Sequence, residues 1–190
     1  MDLATPELPD LDRLALVVVD VQRGFDDAAY WGPRNTPSCE SNIARLLDAW
    51  ATGGRPIVLV RHDSADPDSP LHPDRPGNAF QDLLAVDHDL VVRKSVNSSF
   101  HGTPDLDAWL RGRDLDGIVV CGITTNHCCE TTARVGGNLG HRVLFVLDAT
   151  HTFDRRRPDG GTMTADELAA ATATNLDGEF ATVVATAHLV

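Results

Sequence analysis

Residues 14–20 read Leu-Ala-Leu-Val-Val-Val-Asp, six apolar side chains in succession closed by a carboxylate. A strand with one wet face alternates polar and apolar residues, so a run apolar on both faces reads as a buried strand of a parallel sheet. Five more runs of this kind follow, at 56–61, 89–93, 117–121, 142–147 and 181–184. Between them the apolar spacing turns helical, over 38–52, 104–111, 126–139 and 164–175. Ser38 and Ser41 place side-chain oxygens at the start of the first helix, and Thr164 with Glu167 is a capping-box candidate at the start of the last. Gly53, Gly54 and Gly140 stand where helices should stop.

Parallel neighbours require crossover helices, and right-handed crossovers cover both faces of a sheet. The pattern predicts an α/β protein of three layers, α/β/α, with a six-stranded, mainly parallel sheet of order 3-2-1-4-5-6. Ligands in such sheets bind beyond the carboxyl ends of the strands, near the point where strand order reverses. The residues that end the strands are therefore where function is expected. The Pro- and Asp-rich stretch 63–77 is too long for a simple turn and reads as an ordered loop beside a site or interface.

With 190 residues, 42% hydrophobic and 23% charged, the chain suits one domain over 1–190. A net charge of -12 has the wrong sign for neutralising phosphates, which excludes nucleic acid as a partner. No apolar run approaches the roughly 20 residues that span a bilayer, and the first residues are acidic, so a cytoplasmic protein without membrane contact is expected. Four cysteines, Cys39, Cys121, Cys128 and Cys129, are too few and too clustered for a disulfide scaffold. The 16 basic residues are 15 Arg and a single Lys, Lys94. An ammonium can share or lose a proton when buried, whereas a guanidinium stays charged, so this exception points to chemistry as well as to a chance surface residue.

Asp20 lies at the carboxyl end of the first strand, a costly place for a carboxylate unless it is paired, caps a helix or is functional. Cys128 falls where the loop after the fourth strand should turn into a helix, and exposed N–H groups there favour thiolate; a small buried hydrophobe is the alternative. Cys121 and Cys129 fit packed thiols better. His127, Cys128 and Cys129 point about 100° apart on a helix and do not converge on one ion, so no metal is expected. Dinucleotide, P-loop and nucleophile-elbow glycine motifs are all missing. What remains is a carboxylate after strand one, an ammonium after strand three and a thiol after strand four. Asp20 as base, Lys94 as charge holder and Cys128 as nucleophile can run covalent acyl transfer, with loop N–H groups stabilising the oxyanion.

These residues resemble the isochorismatase-like cysteine hydrolases, a superfamily that includes nicotinamidases, N-carbamoylsarcosine amidohydrolases and isochorismatases. The resemblance runs from Ala15 to about Val184. It is carried by residues 16–22 with Phe25, residues 94–100 with Gly102 and Thr103, residues 122–128, and more weakly by Asp148 after strand five. It implies that Asp20, Lys94 and Cys128 are the catalytic triad, that the backbone N–H groups of Thr124 and Cys128 form the oxyanion hole, and that the Ile123–Thr124 peptide is cis. It also implies a homodimer or homotetramer. The metal-binding Asp-x-His pattern of nicotinamidases is replaced here by Arg61-His62-Asp63-Ser64, with His72 the only companion nearby, which argues against a metal cofactor.

Gln22, Phe25, Trp31, Phe100, Asn126 and His127 lie close in sequence to these positions and are expected to bind substrate. The reading is a cofactor-independent hydrolase cleaving a C–N bond of a small amide, carbamoyl compound or lactam through a Cys128 thioester. Its rivals are vinyl-ether hydrolysis with Asp20 as acid, and a catalytically silent binding module of the same fold.

Overall fold

A computed structural model of the protein describes Leu3 and residues 6–190. Six strands, β1 Leu14–Val19, β2 Ile57–His62, β3 Leu90–Lys94, β4 Gly117–Ile123, β5 Arg142–His151 and β6 Thr182–Val184, share one sheet. Their order is β3-β2-β1-β4-β5-β6 and every neighbouring pair is parallel. The expected architecture is therefore observed, with the order reversing between β1 and β4. Ile123 and Val19 end the two strands that flank this crevice, and the loops after them form its walls.

Every residue of β1 is buried, and its alternate side chains enter different cores. Leu14, Leu16 and Val18 face helix α1, Cys39–Thr52, through Ile43, Leu46, Leu47 and Trp50. Ala15, Val17 and Val19 face helices α2 Leu106–Gly112, α3 Glu130–Asn138 and α4 Ala165–Leu176, through Leu106, Leu110, Ala133, Ala173 and Leu176. Each fully buried Leu or Val contributes roughly 1.5–3 kcal/mol, so a strand with no solvent face favours the three-layer arrangement over a sheet covered on one side. The indole N–H of Trp50 donates to the Leu14 carbonyl at 3.1 Å, satisfying its one polar atom inside the core.

Helix ends follow local chemistry. Thr164 Oγ1 accepts from the Glu167 N–H and the Glu167 carboxylate accepts from the Thr164 N–H, so the capping box read from the sequence forms at α4. At α1 the Ser38 side chain makes no cap; Ser41 Oγ donates to the Ser38 carbonyl instead. Asp105 caps α2 through the Ala108 N–H. The helix expected from 126 begins instead as a π-helical turn, Thr125–Cys129, before α3. Such wide turns recur at functional sites because they redirect side chains without ending the helix.

Strand β5 runs four residues past the expected 147, with a register irregularity opposite Val120–Gly122. Asp148 thus lies inside β5, where its Oδ1 accepts from the N–H and hydroxyl of Thr186. The 63–77 loop is pinned by Asn78, whose amide donates to the carbonyls of His62 and Leu71 and to Asp63 Oδ1. It also rests on Gly24: a Cβ on Gly77 would lie 2.7 Å from the Gly24 Cα, so this crossing requires glycine. All four cysteines are buried and unpaired. No helix among the described residues is long and apolar enough to cross a membrane.

Candidate active site

Four strand ends deliver the polar groups of the crevice. Asp20 leaves β1 with a positive φ of 53°, a region that Asp tolerates better than most residues, and its N–H donates to the Val60 carbonyl at 2.9 Å. Across from it Gly122 adopts φ 125°, and a Cβ there would stand 2.0 Å from the Val19 carbonyl oxygen. Only glycine lets β4 pass this close to the chain that presents Asp20. The Ile123–Thr124 peptide that follows is cis. The π-helical turn after it aims Cys128 back at the sheet, while His62 and Lys94, at the ends of β2 and β3, enter from the other side.

The structure brings Asp20, Lys94 and Cys128 together. Lys94 Nζ donates to Asp20 Oδ2 at 2.6 Å, to His62 Nδ1 at 3.3 Å and to Cys128 Sγ at 3.4 Å. An ammonium has three protons and here meets three acceptors, a fit that the planar fork of an arginine cannot copy. That explains why the chain's one lysine stands at this position. Asp20 Oδ1 is buried without a hydrogen-bond partner among the described residues, and an Asp20 oxygen lies within 4.8 Å of the Cys128 sulfur. Cys128 Sγ also approaches Asn97 Oδ1 at 3.7 Å.

Electrostatics assign protonation states to this cluster. Burial opposes the Lys94 charge, but the Asp20 carboxylate and then Cys128 outweigh it, and the Lys94 pKa is raised. Burial and then the Asp20 charge push the Cys128 thiol up, against a smaller pull from Lys94. Burial beside Asp20 thus works against the thiolate that the helix-end environment was expected to favour. Burial and then Lys94 hold the His62 pKa down, so its Nδ1 is free to accept. Asp20, His62 and Cys128 are also the one grouping of potential metal ligands among the described residues. The Lys94 ammonium contacts all three, occupying the place a cation would take.

A cleft of about 140 Å³ opens onto the sulfur, lined by Asp20, Phe25, Trp31, His62, Leu71, Asn97, Thr124, His127, Cys128 and Arg155. Of the expected substrate contacts, Phe25, Trp31 and His127 line it, with the Phe25 and Trp31 rings 4.9 Å apart and braced by Phe153. Gln22, Phe100 and Asn126 do not line it. Gln22 is buried, with its amide bonded to the His62 N–H and carbonyl and to the Asn78 carbonyl, so it ties β2 to the neighbouring loop. Phe100 stacks on His141 at 5.5 Å and, partly buried, packs against the core under α2–α4. Asn126 Oδ1 accepts from the Thr152 hydroxyl, facing β5. Closeness in sequence to a reactive residue does not fix direction, since successive side chains leave a turn on different sides.

Four lining residues, His62, Leu71, Asn97 and Arg155, were not expected as site residues. His62 was visible only as a departure from a metal pattern, Asn97 only within residues 94–100, and Arg155 stands in the run Arg155-Arg156-Arg157. Leu71 comes from the 63–77 loop, which the sequence placed beside a site.

Residues 14–186 match the family model for the isochorismatase domain. The chain is 36% identical over 180 residues to the isochorismatase family protein YrdC of Bacillus subtilis, covering 94% of this chain and 95% of that one. It superposes on a solved isochorismatase-family structure from Chromobacterium violaceum with a TM-score of 0.90 and 38% identity, covering 98% and 96% of the two chains. It is also 28% identical over 190 residues to Nicotinamidase 3 of Arabidopsis thaliana, covering 93% of this chain and 86% of that one.

Proposed function

The chain belongs to the isochorismatase family of hydrolases, and from that premise we propose that it cleaves the C–N bond of a small amide, carbamoyl compound or lactam through a thioester on Cys128. The observation that carries this reading is the contact of one buried ammonium, Lys94, with both Asp20 and Cys128.

The cluster sets the Asp20 carboxyl group beside an ammonium and a thiol whose pKa values are both raised. Asp20 takes the thiol proton on its unpartnered oxygen as the sulfur attacks the carbonyl. Net charge in the cluster does not change in this transfer, and Lys94 contacts both the atom that gains negative charge and the carboxyl group that loses it. The N–H groups of Thr124 and Cys128 receive the oxyanion. Asp20 returns its proton to the departing nitrogen, then takes a proton from the water that attacks the thioester; as the carbon–sulfur bond breaks and the acid product leaves, the sulfur takes that proton back from Asp20. The walls of Phe25, Trp31 and Leu71 exclude bulk water, which strengthens each of these charge interactions. A volume of about 140 Å³, below the ~300–1,000 Å³ of drug-sized ligand pockets, favours a small acyl group.

Intact-protein mass spectrometry of enzyme mixed with a panel of small amides and quenched early tests this. An acyl adduct located on Cys128 and absent from Cys128→Ala is expected. Undiminished turnover by a folded Cys128→Ala variant would overturn the reading.

A further inference from the structure

Residues 94–102 form a loop closed at its base, where Arg93 and Thr103 exchange backbone hydrogen bonds at 2.9 and 2.8 Å. Its two limbs are fixed as well. The Lys94 carbonyl accepts from the Asp63 N–H at 2.7 Å, and the Ser99 N–H donates to Thr132 Oγ1 of α3 at 3.0 Å. Between these ties residues 95–97 are exposed, and of the three Asn97 lines the cleft. An asparagine in an exposed bend is ordinary turn chemistry when its amide binds nearby backbone. Asn97 makes no such bond among the described residues; its side-chain contact is Oδ1 to Cys128 Sγ, at 3.7 Å. A thiol is a weak donor, so this acceptor is underused.

An attacking sulfur stands about 3–3.5 Å from the carbonyl carbon, which puts that carbon's substituents within hydrogen-bond reach of an atom 3.7 Å from the sulfur. The scissile oxygen is assigned to the N–H groups of Thr124 and Cys128, after β4. The nitrogen is the other polar substituent, and its N–H needs an acceptor. Lys94 only donates, and so does Arg155, brought to the cleft by an antiparallel ribbon in which it pairs with Met163. His62 Nδ1 already accepts from Lys94, and Asp20 is engaged by Lys94 and by the thiol proton. Asn97 Oδ1 is the acceptor left in contact with the sulfur. Holding the N–H there leaves the nitrogen lone pair, released from conjugation by the attack, free for the proton that Asp20 returns. An ester or enol-ether oxygen brings no hydrogen and would set two acceptors against each other.

We infer that Asn97 Oδ1 accepts the N–H of the scissile nitrogen, so that the cleft takes primary and secondary amides, among them carbamoyl compounds and lactams, in preference to esters and N,N-disubstituted amides. The inference rests on the cysteine-hydrolase reading for the fate of that nitrogen, but not for the contact itself.

Calorimetric titration of the full chain carrying Cys128→Ala measures the contact without the chemistry. The probes are isosteric pairs that differ by N–H against O: N-methylacetamide and methyl acetate, N-methylpropionamide and methyl propionate, N-methylbenzamide and methyl benzoate. An amide carbonyl is also the better acceptor at the oxyanion N–H groups, so the readout is how the preference changes with residue 97. At least one amide should bind more tightly than its ester, and adding Asn97→Ala should shrink that preference about three- to tenfold, the range of one neutral hydrogen bond. Asn97→Asp keeps an acceptor in place and should hold the preference, while thermal unfolding shows both variants folded. No binding of any amide, no preference in any pair, an equal loss for amide and ester in Asn97→Ala, or a preference that survives it overturns the inference. A preference that depends on Asn97, without any acyl adduct on the wild-type enzyme, sinks the hydrolase reading alone.

Discussion

Lys94 Nζ and Asp20 Oδ2 lie 2.6 Å apart with neither side chain exposed to solvent. Two charges withdrawn from water depend on each other, and removing one leaves the other uncompensated at a cost of about 3–5 kcal/mol. Lys94→Met and Asp20→Asn should each destabilise by about that much in urea unfolding, and the double variant by clearly less than their sum. A coupling below about 0.5 kcal/mol would mean that each charge is solvated by other groups. Because the Lys94 pKa is raised in the fold, the stabilisation is complete below its unfolded value near 10.5 and is lost only as pH climbs through the higher folded value.

The same carboxylate raises the Cys128 pKa, second only to burial. Asp20→Asn should therefore make the thiol more acidic, with Lys94 still beside it, and iodoacetamide should modify Cys128 at least about threefold faster at neutral pH. Turnover should nonetheless be lost, since the proposed base is gone. Slower alkylation of the variant would show that Asp20 is not what holds the proton on sulfur.

Gly122 makes the crossing of β1 and β4 possible. A Cβ placed 2.0 Å from the Val19 carbonyl oxygen, at a φ of 125°, has no local escape because the nearest atoms are all Val19 backbone. Gly122→Ala should destabilise by more than about 3 kcal/mol and reduce turnover beyond the folded fraction, measured by unfolding and by active-site titration. Near wild-type stability would mean that the crossing can open without cost.

Much of this frame was legible because buried parallel strands have no polar face to confuse them. β1 could be read from its six residues alone, and Asp20, Lys94 and Cys128 stood out by ending or following such runs. Thr164 and Glu167 announced a helix start because capping is chemistry between near neighbours. Direction was not legible. Gln22 and Asn126 sit within two residues of Asp20 and Cys128, yet both turn to carbonyl and hydroxyl partners that only the fold supplies. Arg155 was hidden for the same reason, since a run of three arginines gives no sign of which one the ribbon turns inward.

Gln22 accordingly carries a structural expectation in place of a substrate contact. Its amide satisfies the His62 N–H and carbonyl and the Asn78 carbonyl inside the protein. Gln22→Leu keeps the bulk and strands these backbone groups, at about 1–3 kcal/mol for each one left unsatisfied. Thermal stability should fall, while the relative rates on different amides stay unchanged. A changed substrate ranking with intact stability would return Gln22 to the cleft.

His151 is fully buried, with Nε2 accepting from Arg34 at 3.2 Å and Nδ1 without a partner among the described residues. Burial and then the Arg34 charge bring its pKa down to about 4 from 6.5, with Glu40 offsetting part of the effect. The unfolded chain takes up a proton as pH falls through 6.5, but the folded protein does not until about 4, so stability is full above 6.5 and is lost between the two values. For one group with these values the fall from neutral pH to pH 5 comes to about 1–2 kcal/mol. His62 and His127 shift in the same direction, so the wild-type slope is a sum, and a variant is needed to isolate this ring. His151→Gln keeps an acceptor for Arg34 and does not titrate. Its stability should fall less steeply over that interval, by about the amount given for one group. If unfolding free energies of the two proteins run parallel across the range, His151 is protonated in the fold and its Arg34 contact is not the one described.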